Sequence, residues 1–295
     1  MPRKMGPRPE DGAPPSDVRR AGRALSLIRV GTCAFADHQG LYPPGVKPGE
    51  RLSFYAREFN LVEVDAPFYG PLPLALADRW LTAVPEDFRF DLKAPGSTTG
   101  HRAANPEEER HFAQFAERLH RSGRLGAVLL QWPPWHRLTA ANQARAAEAV
   151  ARFAPLVTAV EFRHRSWYEA GAQLTAWLTG LPAAQVIVDA PVGPDTAPPW
   201  QPAIARRELA YVRFHGRNAA AWSSPGLATS QDRFRYRYAP EELAGRVPDL
   251  ANLAQHAGEV HVLMNNNYGS YAVDGARWLR DRLAPRPGTQ TQFDW

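Results

Sequence analysis

The stretch Leu-Ala-Tyr-Val-Arg-Phe-His at residues 209–215 alternates apolar residues with residues that carry polar groups. Successive side chains of a β-strand point to opposite faces, so Val212 and Phe214 share one face and Arg213 and His215 share the other. The stretch is therefore predicted to be a strand with an apolar face packed against helices and a polar face turned inward.

Seven other apolar or β-branched runs resemble this one, and longer helical patterns separate them, which is typical of βα units around a parallel sheet. The predicted strands are residues 28–33, 61–66, 88–94, 126–132, 157–162, 185–189, 209–215 and 259–265. Residues 106–121 and 139–153 are predicted helices, and Asn105 is the expected N-cap of the first. Eight strands within about 260 residues predict a single-domain (β/α)8 barrel of the TIM type, with a doubly wound open sheet as the alternative.

The composition is that of an ordinary globular protein. The chain has 295 residues, of which 44% are hydrophobic and 22% are charged, and this excludes disorder throughout and a disulfide-stapled module. Cys33 is the single cysteine, and no apolar run approaches the roughly 20 residues that cross a bilayer. We therefore expect a cytoplasmic protein without a membrane partner.

The formal net charge of +5 is concentrated at the start of the chain. Residues 1–29 hold seven basic and three acidic residues, which leaves the remainder at about +1. Residues 1–25 are predicted to be a disordered basic arm, residues 26–285 the barrel and residues 286–295 a tail. The arm either contacts nucleic-acid phosphates without sequence preference or serves as a solubilising extension.

The inward face of the predicted strands is unusually polar. An isolated charge inside a barrel costs several kcal/mol unless it is paired, so polar residues on most of the strands predict a ligand site at the strand ends. A network of acids and bases that satisfy one another without a ligand is the alternative. The predicted inward residues are Glu63, Asp65, Asp91, Lys93, Gln131, Glu161, Arg163, Asp189, Tyr211, Arg213, His215 and Asn265.

These residue types indicate two kinds of chemistry. Glu161, Asp189 and His215 are candidate catalytic residues and candidate ligands for Mg²⁺, Mn²⁺ or Zn²⁺. Arginines at strand ends suit a phosphate or carboxylate group of a substrate. Lys93 is a fourth candidate catalytic residue, either as a Schiff-base amine or as a charge that neutralises nearby carboxylates. The proline-rich segment 191–202 and the long segment 216–240 are expected to shape the opening.

Segments at these strand ends resemble the family called domain of unknown function 72, or YecE-like proteins. The matching segments are residues 31–33, 63–69, 88–95, 129–134, 160–167, 212–218 and 265–268. The resemblance implies a TIM-type barrel and supplies no settled activity. The sequence Asp65-Ala66-Pro67 departs from the asparagine-serine-threonine stretch often found in the family, and it adds a carboxylate. The predicted substrate-binding residues are Arg163, Arg213, Glu63, Asp65, Tyr69, Gln131, Trp167, Asn218, Asn265 and Asn266.

The leading hypothesis is a hydrolase of a phosphoryl or phosphodiester substrate, nuclease-like and metal-dependent in one version. One alternative is an isomerase or lyase of a phosphorylated or acidic sugar, with a carboxylate as the base. Another is a non-catalytic binder of an anionic ligand or of nucleic acid. The expected partner is thus an anionic small molecule or a nucleic acid, and the oligomeric state is left open.

Overall fold

Eight parallel strands close into a barrel in which each strand pairs with the next and the last pairs with the first. The computed structural model describes residues 27–38, 40–222, 224 and 230–283. The predicted barrel is confirmed, whereas the predicted arm at residues 1–25 and tail at residues 286–295 lie outside the described residues. The strands are β1 Leu27–Cys33, β2 Leu61–Val64, β3 Arg89–Lys93, β4 Leu125–Trp132, β5 Thr158–Phe162, β6 Ala183–Asp189, β7 Leu209–Phe214 and β8 Glu259–Met264.

Helices lie between the strands, as the βα pattern predicts. In the described part of the chain the α-helices are α1 Arg51–Tyr55, α2 Ala66–Tyr69, α3 Leu74–Ala83, α4 Pro106–Arg121, α5 Ala140–Arg152, α6 Ala172–Gly180, α7 Ala219–Trp222, α8 Ser230–Arg233, α9 Pro240–Ala244, α10 Val247–His256 and α11 Tyr271–Leu283. Short 3-10 helices occupy Pro48–Glu50 and Arg165–Ala170. The predicted N-cap is confirmed, because the Asn105 side chain accepts a hydrogen bond from the Glu108 N–H at 3.1 Å.

The barrel wall separates two apolar clusters. The larger cluster packs between strands and helices, and it includes Val62, Leu92, Val128, Val160, Phe162 and Val212. The smaller cluster lies on the opposite face of the strands, and it includes Cys33, Leu129, Ala159, Val186, Val188 and Leu263. Because small and branched side chains fill only part of the interior, buried charged and polar side chains occupy the rest.

A group of ionisable side chains fills the lower interior, below the C-terminal ends of the strands. The imidazole Nδ1 of His261 lies 2.8 Å from a carboxylate oxygen of Asp91, and its Nε2 lies 3.4 Å from Glu259, which also pairs with Arg29. Burial alone would lower the pKa of His261, but Asp91 and Glu259 raise it to about 9. His261 lies outside the polar set that the strand pattern predicts.

Gly126 leaves the space that this group needs. A Cβ atom at this position would lie 2.4 Å from Asp91 Oδ1 and 2.6 Å from His261 Cε1. Both contacts are far shorter than van der Waals distance, so any side chain here would displace the buried pair.

Candidate functional site

Arg213 on β7 is the centre of the upper interior. Its two terminal nitrogens each donate a 2.6 Å hydrogen bond to a different carboxylate, Nη1 to Glu161 and Nη2 to Glu63. Tyr211 donates a further hydrogen bond to Glu63 at 2.8 Å. Burial alone would lower the pKa of Arg213, but the two carboxylates raise it well above the ordinary value for arginine. The guanidinium therefore stays charged and holds β2 and β5 side chains together.

Glu161 on β5 is bound from several sides. Its Oε1 accepts hydrogen bonds from Gln131 Nε2 and His215 Nε2, both at 3.0 Å, in addition to the bond from Arg213. Burial would raise the pKa of Glu161, but Arg213 and His215 hold it well below its usual range. Glu161 is thus a permanently ionised carboxylate in this site.

His215 follows β7 and is neutral. Burial lowers its pKa to about 4 despite the nearby carboxylate of Glu161. Its Nδ1 lies 2.7 Å from the side-chain Nδ2 of Asn265, which is a donor, so Nδ1 accepts and Nε2 carries the proton given to Glu161. Both ring nitrogens of His215 are therefore engaged within the protein.

The upper network brings together six of the predicted site residues, namely Glu63, Gln131, Glu161, Arg213, His215 and Asn265. The side chains of Glu63 and Glu161 have no exposed surface, and that of Arg213 is 2% exposed. Apart from the buried Nε of Arg213, which has no hydrogen-bond partner in the described part of the chain, these groups satisfy one another, as the ligand-free alternative predicts for a structural network. We call this set the upper network.

Two charged side chains above the upper network are not paired in this way. Lys93 at the end of β3 and Asp65 just after β2 form no ion pair with any residue that the structure describes. Burial, together with Arg213, lowers the pKa of Lys93 to about 8. Burial raises the pKa of Asp65, and Lys93 only partly offsets this effect. The pKa values of the two groups are thus shifted toward neutrality from opposite directions.

Arg163, just beyond β5, is a third charge with unused hydrogen-bonding capacity. Its side chain is 13% exposed, and its guanidinium stacks 4.5 Å from the ring centre of Trp222. Nη1 lies 3.7 Å from Glu161, beyond normal hydrogen-bonding distance, and the buried Nε has no hydrogen-bond partner in the described part of the chain. An anionic group would satisfy such donors.

Aromatic rings flank these charges. Phe68 lies beneath the ammonium of Lys93, with 3.9 Å between Nζ and the ring centre, and it also packs edge-on against His101 at 4.9 Å. The ring centre of His101 lies 5.7 Å from that of Trp135. Tyr69 and Trp135 are 68% and 65% exposed. Phe68, Tyr69, His101 and Trp135 form what we call the aromatic rim.

Sequence reasoning missed His101 and Phe68 as parts of the site. Burial lowers the pKa of His101 to about 4, with smaller effects from Lys93 and Arg163, so the ring is neutral. Both residues lie in loops or short helices after strands, where strand parity gives no information. The signal that could have found them is their position in the segments that follow the C-terminal ends of β2 and β3.

The predicted inward position of Asp189 is wrong. Val186 and Val188 point into the barrel, so Asp189 on the same strand points outward, where it pairs in register with Phe214. Its carboxylate there accepts bonds of 2.7–2.8 Å from Arg217, Arg246 and Tyr238. We call these four residues the Asp189 clamp.

The three predicted metal ligands are therefore not assembled. Asp189 lies on the other side of the barrel wall from Glu161 and His215, whose polar atoms are already hydrogen-bonded. In the described residues, no group of three or more histidine, cysteine, aspartate or glutamate side chains is arranged to hold a metal ion.

Three of the predicted substrate-binding residues have partners that give them structural roles. Trp167 is buried, stacks 3.7 Å from Phe162 outside the barrel wall and donates to the His136 carbonyl. Asn218 caps α7 by accepting from the Ala221 N–H. Asn266 is buried and donates to the Tyr236 carbonyl.

The two segments expected to shape the opening differ in what they contact. Segment 216–240 supplies Trp222, which contacts Arg163, and Phe234, which lies 5.9 Å from His215. Segment 191–202 instead lines a separate cleft of about 470 Å³ with Arg217 and Arg246. The first segment therefore borders the site and also supplies Arg217 and Tyr238 to the Asp189 clamp, whereas the second lies beside the clamp.

The closed parallel sheet and the charges gathered at its C-terminal ends define a (β/α)8 barrel protein. The chain belongs to the family described as "Protein of unknown function DUF72", whose family model matches residues 29–293. This confirms the resemblance found in the strand-end segments.

Relatives and solved structures agree with this assignment. The chain is 31% identical over 268 residues to the UPF0759 protein YunF of Bacillus subtilis, covering 87% of this chain and 95% of that protein. A crystal structure of a DUF72 family protein from Enterococcus faecalis aligns with a TM-score of 0.81 at 30% identity, covering 91% of this chain and 100% of that one. A second, from Thermotoga maritima, gives a TM-score of 0.76 at 29% identity, covering 87% and 99%.

None of the helices in the described residues combines the length and the apolar character needed to span a bilayer.

Proposed function

We propose that this protein is an enzyme that transfers a proton on a small anionic substrate, in the isomerase or lyase class suggested for a phosphorylated or acidic sugar. One observation carries the proposal: Lys93 and Asp65 form no ion pair with any described residue, while the charges of the upper network below them are paired. A carboxyl and an amine whose pKa values are shifted toward neutrality are suited to exchange protons at physiological pH.

Each group has a distinct part in this proposal. Arg163 binds the phosphate or carboxylate of the substrate with its unpartnered donors. Asp65 accepts the proton from the carbon next to the substrate carbonyl, and Lys93 stabilises the charge that develops on the oxygen. His101 is neutral and within the same rim, so it orients a substrate hydroxyl. Below them, Glu161 of the upper network lies 3.7 Å from Nη1 of Arg163.

A second candidate is the phosphodiester hydrolase. The exposed aromatic rings of Tyr69 and Trp135 favour it, because Tyr69 contacts Phe68, the ring beneath the cation of Lys93, and Trp135 contacts His101. A nucleotide presents a flat base and a phosphate together. The residues present do not fit the metal-dependent version, since Asp189 is outside the barrel wall. No step is therefore assigned to a metal.

The proton-transfer proposal is tested by hydrogen–deuterium exchange. Phosphorylated and acidic sugars are incubated with the protein in D2O, and NMR follows exchange at the carbon next to the carbonyl. We expect exchange with at least one compound, and a loss of about 100-fold or more in Asp65→Asn and in Lys93→Met. Lys47→Met, which changes an exposed lysine, is the matched control and should retain the rate.

Two outcomes would contradict the proposal. Cleavage of single-stranded, duplex or abasic nucleic acid, with no exchange on any sugar, would favour the hydrolase. Binding of sugars or nucleic acids that survives EDTA, with neither exchange nor cleavage, would favour the non-catalytic binder. In both cases Arg163→Met should weaken binding, because the anion site is common to all three functions.

A further inference from the structure

We propose that Lys93 reacts covalently, forming a Schiff base with the carbonyl carbon of the substrate, so that the substrate is an anionic aldehyde, ketone or 2-oxo acid. This inference rests on the proposed function and specifies its chemistry. It assigns Lys93 to bond formation, a role that charge stabilisation alone does not require.

The position of Lys93 suits a nucleophile better than a structural counter-ion. It lies at the C-terminal end of β3 on the inward face, half-buried, with Nζ 3.9 Å from the centre of the Phe68 ring. Asp65 is the carboxylate that acts most strongly on Lys93, and it lies beyond ion-pair distance, while Glu63 is already bound by Arg213 and Tyr211. A lysine that served only to neutralise acids would be in contact with one, and Lys93 forms no ion pair with any described residue.

The surroundings also supply the neutral amine that the reaction needs. Burial and the positive charge of Arg213 disfavour the ammonium form, and this lowers the pKa of Lys93 to about 8. About a tenth of the Lys93 side chains therefore carry a free lone pair at pH 7. The aromatic ring beneath it still stabilises the charged product of the reaction.

The chemical balance is complete without a further reactant. The neutral Nζ attacks the carbonyl carbon, a C–N bond forms, and the carbonyl electron pair moves to oxygen, which takes a proton from the nitrogen. Asp65, which takes up the proton that the Lys93 ammonium releases before the attack, then gives this proton to the resulting hydroxyl, which leaves as water while the C–N double bond forms. The product is a protonated imine, and the ionised Asp65 removes a proton from the adjacent carbon to give an enamine.

The three lysines of the chain make the test direct. Lys4, Lys47 and Lys93 are the lysines of the sequence, so an adduct can be located among few positions. The full-length protein is incubated with pyruvate, dihydroxyacetone phosphate or glyceraldehyde 3-phosphate as probes, reduced with sodium borohydride, digested and mapped by mass spectrometry. We expect a stable adduct on Lys93 that forms at least about 10-fold faster than any adduct on Lys47.

Variants separate this reaction from nonspecific labelling. Lys93→Arg keeps the positive charge but cannot form the adduct, so labelling should be lost, whereas Lys47→Arg should leave it unchanged. If Lys93→Arg does not fold, the position of the adduct in the unaltered protein still decides the question. Equal labelling of Lys47 and Lys93 would overturn the proposal.

The outcomes also distinguish this inference from the function on which it rests. Deuterium exchange that depends on Asp65 and Lys93, with no trapped adduct, would overturn the Schiff base and leave the proton-transfer function in place. A lack of both exchange and adduct would overturn both. A Lys93 adduct together with exchange that requires Lys93 would support both.

Discussion

The buried charges that lie below Lys93 and Asp65 in the barrel interior are paired in two groups, one below the other. In the lower group His261 contacts Asp91 and Glu259, and in the upper network Arg213 joins Glu63 and Glu161. Removing one member of a buried pair leaves an uncompensated charge, which costs about 3–5 kcal/mol. Each buried charge therefore depends on its partner, and the free energy of unfolding changes at the pH where one member of a pair becomes neutral.

The His261 pair predicts a fall in stability on the alkaline side of neutrality. The folded-state pKa of about 9 lies above the ordinary value of 6.5, so its contribution is complete below pH 6.5 and is lost as the pH rises through 9. The lowered pKa of Lys93 has the opposite effect, because the free energy of unfolding rises as the pH increases above 8 and the buried ammonium loses its charge. Chemical denaturation of a Lys93→Met variant should therefore show a decrease of about 2 kcal/mol in the free energy of unfolding between pH 6.5 and 8.5.

A direct titration provides the control for this prediction. The imidazole resonances of His261, followed by NMR in the folded protein, should titrate with a midpoint near 9. A midpoint at or below 6.5, or an unfolding free energy that does not change over the same pH range, would contradict the assignment of charge to His261.

At the scale of single elements, the alternation of residue types within a strand determines whether its inward face can be predicted. In β7 the alternation of apolar and charged residues predicts the inward face correctly for Arg213. In β6 the run Val186-Ile187-Val188 is apolar on both faces, so parity cannot be read from it. For that reason the sequence pattern places Asp189 on the wrong face.

The ends of elements limit sequence prediction in a related way. Asp65 and His215 lie just beyond β2 and β7, within the longer strands that the pattern predicts. A sequence cannot show where strand pairing stops, because the terminal residues keep the same alternation as the paired ones. Residues of the aromatic rim, such as His101, lie in segments with no periodic pattern at all.

Helix α4 offers a prediction that depends on its first turn. Asn105→Ala should lower the free energy of unfolding by about 1 kcal/mol, because the bond from the Glu108 N–H to the Asn105 side chain is lost. Asn105→Asp, which keeps an acceptor at the N-terminal end of the helix dipole, is the matched control and should leave stability nearly unchanged. Urea denaturation measures both, and an equal loss in the two variants would refute the capping role.

At the scale of the whole molecule, the distribution of charge separates two ways of binding anions. Residues 1–25 carry six basic and three acidic residues, which is +3 of the net +5 of the chain. Deleting them should weaken nonspecific binding to nucleic acid by about 10-fold or more at low salt and reduce its salt dependence. The deuterium-exchange rate on a small substrate should change less than about 2-fold. Equal losses of both would mean that the arm contributes to the barrel site.

The overall architecture was accessible from the sequence, whereas the roles of its charged residues were not. Eight βα units imply closure, and closure implies that inward residues meet, so Glu161, Arg213 and His215 could be placed together. Which charged side chains form ion pairs with their neighbours depends on distances of a few ångströms between strands that are far apart in the chain. The sequence therefore could not show that Lys93 and Asp65 form no ion pair with the residues that the structure describes.

The Asp189 clamp has a consequence for how the barrel assembles. If β6 slipped by one residue against β7, Asp189 would enter the interior beside Glu161, and Val188 would be expelled. Two guanidinium groups on the outside, those of Arg217 and Arg246, would then lose their shared anion. The slipped register is destabilised on both sides of the barrel wall at once. The Asp189 clamp therefore favours the native register between β6 and β7 during assembly.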